Sequence, residues 1–376
     1  MATKTFDNAK KNKADEFYTQ MEDIFREVEA YLEFDPNVFK GKTVLCPCDD
    51  PYESNFFKYF ALRFNELGLK KLIATCYVGS PIANTQLSLF DDEPVEDKTT
   101  KNPHKIEITE FEDYNCDGVI DLLDVEWLLE NKKNALTRLE GDGDFRSDEI
   151  KKLRDECDVI ITNPPFSMFR EFLAWIMEAN KQFLIIGNVN AITYKEVFPL
   201  IKENKMWLGK RFNSRINGKN MTFAVPSDYP LNGTETYIDD KGNKFVSVAG
   251  TGWFTNIDHG RRHQPMQLMT MSENLRYNNG LIKKLESRKA YDKYDSYDAI
   301  DVPFTDAIPS DYDGTMGVPI SFLNQYCPEQ FEIIGIDRYV EDNPKYGHRF
   351  SINGKEIYAR VLIKRKGDTQ FNENNT

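Results

Sequence analysis

The residues best suited to chemistry are Asn163, Pro164, Pro165 and Phe166, which follow the apolar run Val159–Thr162. Two consecutive prolines remove backbone donors and fix φ, so a strand running into them must stop in a rigid turn. A side-chain amide and an aromatic ring are then held at the carboxyl end of a strand, where open α/β sheets place their ligands. Such a site suits a planar ring bearing an exocyclic amine. Asn163 Oδ1 and the Pro164 carbonyl can both accept from the NH2 group, while Phe166 stacks on the ring face. The pattern points to methyl transfer onto an amine. It leaves adenine, cytosine, guanine and glutamine amines open, and the plain alternative is a strand ending in a proline turn before a helix.

A methyl donor must lie beside that amine. A doubly wound methyltransferase holds S-adenosylmethionine in loops after its first strands, with carboxylates taking ribose hydroxyls or the adenine amine. Residues 44–55 (VLCPCDDPYESN) stand after the start of the first expected strand, and Asp49 and Ser54 are the candidates there. The segment lacks the glycines such a loop usually carries. Gly141, Asp142, Gly143, Asp144 and Phe145 form a second candidate cofactor loop. Its paired glycines permit close approach, and Asp142 or Asp144 can accept from the cofactor adenine. The same string also reads as an ordinary acidic turn.

Residues 113–124 (DYNCDGVIDLLD) have the spacing of a calcium loop. Asp113, Asn115 and Asp117 occupy positions one, three and five, Val119 the seventh, Asp121 the ninth and Asp124 the twelfth. This spacing predicts a structural Ca2+. The last ligand is Asp where a bidentate Glu is usual, and the competing reading is an Asx-rich turn capping the helix that follows. The six cysteines are scattered without a zinc spacing and are expected to be reduced thiols. His259 and His263 flank Arg261 and Arg262, a cluster that suits DNA contact better than a metal.

The elements that position these residues read as alternating strands and helices. A helical face over residues 14–34 precedes strands at 43–46 and 71–77, with a helix at 56–67 ending at Gly68. That alternation predicts a parallel sheet. Residues 80–104 are polar and read as a mobile loop. Beyond the motif come a helix at 169–179, a buried strand at 183–189, and short strand-like runs at 221–225, 244–248 and 253–257. Residues 259–313 are tyrosine-rich with little periodicity, and final strands are expected at 331–336 and 356–364.

The chain has 376 residues and a net charge of −13, which argues against nonspecific coating of nucleic acid. Specific contact remains open through basic clusters, and Lys210, Arg211, Arg215, Arg261 and Arg262 are the candidates. No apolar run approaches a membrane span and no apolar signal region opens the chain, so a cytoplasmic protein with no membrane partner is expected.

Together with the Asn-Pro-Pro-Phe motif, DEFYTQ at 15–20 and FLIIGNVNAI at 183–192 give the chain a specific likeness, as do TYKEVF at 193–198, WFTN at 253–256 and MGVPISFL at 316–323. It resembles the EcoRI-type adenine-specific DNA methyltransferases over most of its length. The resemblance implies an α/β, Rossmann-like S-adenosylmethionine-dependent methyltransferase with a C-terminal target-recognition region. It implies methylation of adenine N6 in double-stranded DNA, on a base flipped out of the duplex. It adds a cofactor-touching segment with Phe17, Tyr18 and Thr19, and a catalytic domain over 1–258 followed by a recognition region over 259–376. A monomer is expected, paired in a restriction-modification system with a cognate restriction endonuclease. The alternative substrate reading is a ribosomal RNA guanine-N2 methyltransferase, which can carry the same tetrapeptide.

Overall fold

A computed structural model describes residues 18–76, 103–131, 136–210, 221–225, 236–240, 242–286 and 289–367. The expected loop at 80–104 falls outside them as far as residue 102, as do Phe17, Arg211 and Arg215. The chain divides into two compact units, one of residues 1–189 and 209–257, the other of 190–208 and 258–376.

The first unit begins with a two-residue strand β1 (Tyr18–Thr19) and helix α1 (Met21–Phe34). Then come β2 (Thr43–Cys46), α2 (Asn55–Leu62), β3 (Lys71–Thr75), β4 (His104–Ile108), α3 (Leu122–Asn131) and β5 (Leu136–Arg138). Helix α4 (Asp148–Glu156) leads into β6 (Val159–Thr162), followed by α5 (Phe169–Glu178) and β7 (Gln182–Asn188). Strands β8 (Thr222–Val225), β9 (Thr236–Ile238), β10 (Lys244–Ser247) and β11 (Thr251–Thr255) complete the unit.

Its main sheet runs in the order β5-β4-β3-β2-β6-β7-β11. Strands β3, β2, β6 and β7 are parallel neighbours, whereas β4, β5 and β11 join antiparallel at the flanks. The expected parallel sheet is therefore a mixed one. Every residue of β2 and β6 is buried, which is why both read as unbroken apolar runs rather than alternating ones. Strand order reverses at β2: β3 lies on one side and β6 on the other, and the carboxyl ends at such a switch point are where open α/β sheets place ligands.

Helix α1 begins at Met21, later than its periodicity suggests, because Tyr18 and Thr19 pair antiparallel with Ala224 and Phe223 of β8. Ile24, Val28 and Tyr31 of α1 and Phe56, Phe57 and Phe60 of α2 pack with Val44, Leu72, Ile161, Leu184 and Trp253 in one core. Burying each such side chain contributes about 1.5–3 kcal/mol.

The second unit holds a sheet in the order Ile300–Asp301, Met316–Pro319, Arg360–Arg365, Phe331–Ile336. Its first pair is parallel and the others antiparallel. Arg360 Nε and the Tyr294 hydroxyl both donate to Asp301 Oδ1, at 2.8 and 2.9 Å, satisfying a buried carboxylate. The weakly patterned stretch after 259 contains two short helices, Met271–Tyr277 and Asn279–Lys284. Among the described residues no helix is long and apolar enough to cross a membrane.

Candidate active site

Residues 47–54 carry no glycine, and hydrogen bonds make them rigid instead. The Asp49 amide donates to Thr75 O at 3.1 Å, and Thr75 Oγ1 donates to the Pro47 carbonyl at 3.0 Å. Ser54 caps α2, its Oγ accepting from the Phe56 and Phe57 amides at 3.1 and 3.3 Å. The same hydroxyl donates to Asp49 Oδ1 at 2.6 Å. The other carboxylate oxygen, Asp49 Oδ2, accepts from Thr162 Oγ1 at 2.5 Å. Asp49, Ser54 and Thr162 are all buried. Hydrogen bonds to a charged group contribute about 1.5–3 kcal/mol each, so Asp49 ties the loop after β2 firmly to the last residue of β6. Asn163 comes next in the chain.

Pro164 is buried, while Asn163, Pro165 and Phe166 are half-buried. The Met168 amide donates to Pro165 O at 2.9 Å, closing a short helical turn, Phe166–Met168, that runs straight into α5. Phe166 stands edge-on to Phe223, with centroids 6.3 Å apart and planes at 84°. Phe223 is in turn the register partner of Thr19. Asn55 Nδ2 donates to Thr19 O at 2.7 Å, which fixes β1 against the start of α2. Tyr18, Thr19, Asp49, Ser54 and the Asn-Pro-Pro-Phe turn are thereby linked through one continuous set of contacts.

Thr19 is 3% exposed, and its Oγ1 is buried with no hydrogen-bond partner among the described residues. The same is true of the Tyr52 hydroxyl in the loop after β2. A buried hydroxyl left unpaired costs about 1–3 kcal/mol. Two such groups, one of them in the loop that carries buried Asp49, fit a ligand rich in hydroxyls and amines, as S-adenosylmethionine is.

The second cofactor loop is differently employed. Gly143 is buried at φ +76°, a conformation that favours glycine. Asp144 is committed to Arg146, accepting from Nε at 2.8 Å and Nη2 at 2.5 Å, and this pairing holds its carboxyl below the usual range. Phe145 is buried against Phe172 and Trp175, at 5.1 and 5.6 Å between centroids. Both side chains shape the turn before α4, and Asp142 remains the solvent-facing carboxylate.

The calcium expectation finds no support in the described residues. Asp113 accepts from the amides of Asp117 and Gly118, Asn115 from Asp117, Asp117 from Val119, and Asp121 from Leu123. Fully buried Asp124 takes the amides of Tyr114, Asn115 and Asp121. Burial alone would raise its pKa, but those amides outweigh it and hold the carboxyl low. The oxygens serve the loop's own backbone, and among the described residues they form no cluster of converging ligand atoms. The segment is an Asx-rich turn that starts α3.

The basic candidates differ in their exposure. Arg262 is buried, with its guanidinium 3.6 Å from the Trp207 ring centroid and an ion pair to Asp258 at 3.5 Å. It packs within the second unit. His259 is likewise buried, its Nε2 2.9 Å from Leu208 O, and burial pushes its pKa down. Arg261 is half-buried. Lys210 pairs through Nζ with Glu33 at 3.1 Å, while its amide donates to Glu27 Oε1.

Thr162, Asn55 and Phe223 were not singled out by their sequence context. Thr162 is legible only as the last residue before Asn163. The other two depend on a register that no local pattern announces.

A large mixed sheet, with a proline-locked amide and ring at the carboxyl end of one of its strands, is consistent with a methyltransferase that uses S-adenosylmethionine. The chain belongs to the EcoRI family of adenine-specific methyltransferases, whose model matches residues 5–366. It is 43% identical over 363 residues to the Type II methyltransferase M.EcoRI of Escherichia coli, covering 96% of this chain and 97% of that relative. It is 35% identical over 376 residues to the Type II methyltransferase M.MpnI of Mycoplasma pneumoniae, covering 96% and 98%. No solved structure matches the chain. The protein is a DNA adenine methyltransferase, and the family's adenine specificity sets aside the ribosomal RNA guanine alternative.

Proposed function

We propose that the protein methylates N6 of an adenine flipped out of double-stranded DNA, on a Rossmann-like catalytic core. The carrying observation is Asp49, bonded to both Ser54 and Thr162, which joins the donor loop to the residue preceding Asn163. Thr19, Asp49 and Ser54 would hold S-adenosylmethionine, with Tyr18 beside them and Asp142 facing its adenine. When bound, the cofactor supplies the methyl group as a sulfonium. The residues of this chain do the rest by positioning.

An adenine amine is a poor nucleophile because its lone pair is delocalised into the ring. Acceptors at Asn163 Oδ1 and the Pro164 carbonyl favour a pyramidal nitrogen with its lone pair freed. Pro165 keeps the turn rigid, and Phe166 stacks on the extruded base. Flipping costs a few kcal/mol, and such stacking returns about 1–3 kcal/mol. Transfer is then a matter of alignment and electrostatics. Residues 259–376 are assigned to target recognition, with Lys210 and Arg261 as phosphate contacts, in a monomer that accompanies a cognate endonuclease.

The test is methylation of duplex DNA with labelled S-adenosylmethionine, read as N6-methyladenine. Asn163→Ala should lower kcat by roughly 100-fold or more, as loss of one preorganised polar group does elsewhere, with cofactor binding retained. Full activity in that variant, or label found only in RNA, overturns the reading.

A further inference from the structure

Three side chains that the methyl-transfer scheme does not use meet at the carboxyl ends of β2 and β3. Asp50 lies in the loop after β2, Cys76 directly follows β3, and His104 opens β4. Cys76 Sγ is 3.1 Å from His104 Nδ1 and 3.6 Å from Nε2. One carboxylate oxygen of Asp50, the thiol and a ring nitrogen all lie within 4.8 Å of one another. They form the one such group among the described residues, and all three side chains are buried.

The backbone around them is held in place. The Cys76 amide donates to His104 O at 3.1 Å, and the His104 amide points at Cys76 Sγ at 3.4 Å. Asp50 Oδ1 accepts from the Tyr52 amide at 2.9 Å, and the Tyr52 ring stands edge-on to His104 with centroids 6.0 Å apart. An aromatic wall and a fixed second set of bonds are what metal-ligating side chains need to keep their orientation.

The donor set is informative. Thiolate, imidazole and carboxylate are the three side-chain ligands of zinc, with bonds of about 2.0–2.3 Å. A tetrahedral ion with such bonds separates its ligand atoms by about 3.3–3.8 Å, close to the observed sulfur–nitrogen spacing. Calcium and magnesium prefer oxygen donors throughout and do not suit a thiolate. The thiol, the imidazole and the carboxylate reach this one buried point from three separate elements.

We propose that Asp50, Cys76 and His104 form a zinc site, with a water in the fourth position. Binding releases the Cys76 thiol proton to solvent and leaves the ion's oxidation state unchanged. The site staples the carboxyl ends of the first two parallel strands to antiparallel β4. It closes the chain between positions 76 and 104, where loop-closure entropy opposes the contact.

The test uses the full-length protein equilibrated with Zn2+ and desalted, with metal quantified per chain, and with Co2+ as an optical probe. One tightly held zinc per chain is expected, with a thiolate-to-cobalt charge-transfer band and a Tm that rises with Zn2+. Cys76→Ala and Asp50→Asn should weaken binding by about 100-fold, while Cys48→Ser retains it. Should the variants fail to fold, the unmutated protein still decides: no stoichiometric zinc, or Co2+ bound without a thiolate band, overturns the proposal. So does zinc binding unaltered in Cys76→Ala.

Discussion

The Thr162 hydroxyl donates to Asp49 Oδ2 at 2.5 Å across 113 residues of sequence, inside the sheet. It joins the end of one parallel strand to the loop after its neighbour, between the halves proposed to hold donor and acceptor. Thr162→Val removes the donor and leaves a buried carboxylate oxygen short of a bond, a cost of about 1–3 kcal/mol. The expected outcome is a lower Tm and weaker S-adenosylmethionine binding by calorimetry. Thr162→Ser, which keeps the hydroxyl, should restore both. Wild-type cofactor affinity in Thr162→Val would remove Asp49 from the donor site.

Gly187 of β7 lies where a side chain cannot fit. A Cβ there would come within 2.3 Å of the Phe169 ring, and that ring is itself buried against Phe254 at 5.1 Å between centroids. Overpacking of this kind costs about 1–3 kcal/mol or more. Gly187→Ala should lower Tm and, because Phe169 opens the helix behind Phe166, also kcat. Adding Phe169→Leu should recover part of the stability. An unchanged thermal melt would show that the ring yields freely.

The turn at 113–124 should be indifferent to calcium. Melting in Ca2+ and in a chelator is expected to coincide. Asp124→Ala should destabilise equally in both, because it strips acceptors from three backbone amides. A calcium-dependent rise in Tm that vanishes in the variant would reinstate a cation.

Asp337 carries a pH dependence whose sign is fixed by burial. Burial pushes its pKa from 3.8 to about 6, against the opposing pull of the Arg338 amide and the Arg349 charge. The folded state therefore binds the proton more tightly than the unfolded chain, and stability falls as pH rises from 3.8 through about 6. Asp337→Asn should flatten that part of the Tm-against-pH curve and stabilise the protein at neutral pH. A curve of unchanged slope would contradict the assignment.

Much of the site was legible where chemistry is local. Strand β6 declared itself because it is buried on both faces, and the prolines marked its end. What the sequence could not supply was adjacency. The role of Thr162 depends on β2 and β6 being neighbours, and Phe223 reaches Phe166 only through pairing with β1. Tyr18 and Thr19 fitted a helical period, yet tertiary pairing drew them into a strand. The calcium spacing is silent for a different reason: it fixes which residues are acidic, not whether their oxygens converge on an ion or take the loop's own amides. Helix Met271–Tyr277 carries little apolar periodicity, and its one local signal is the Thr270–Glu273 capping box.

The pairing of β1 with β8 bears on the order in which the enzyme becomes competent during synthesis. Thr19 cannot meet Phe223 until some 200 later residues have left the ribosome, a separation read from the register. Contacts that distant form late, since loop closure must precede any gain from them. A nascent chain ending before Thr222 would have the parallel strands and the proline turn, yet lack the strand partner that seats Thr19. Cofactor affinity should then appear abruptly near the end of the first unit, which would keep a half-made enzyme from marking DNA.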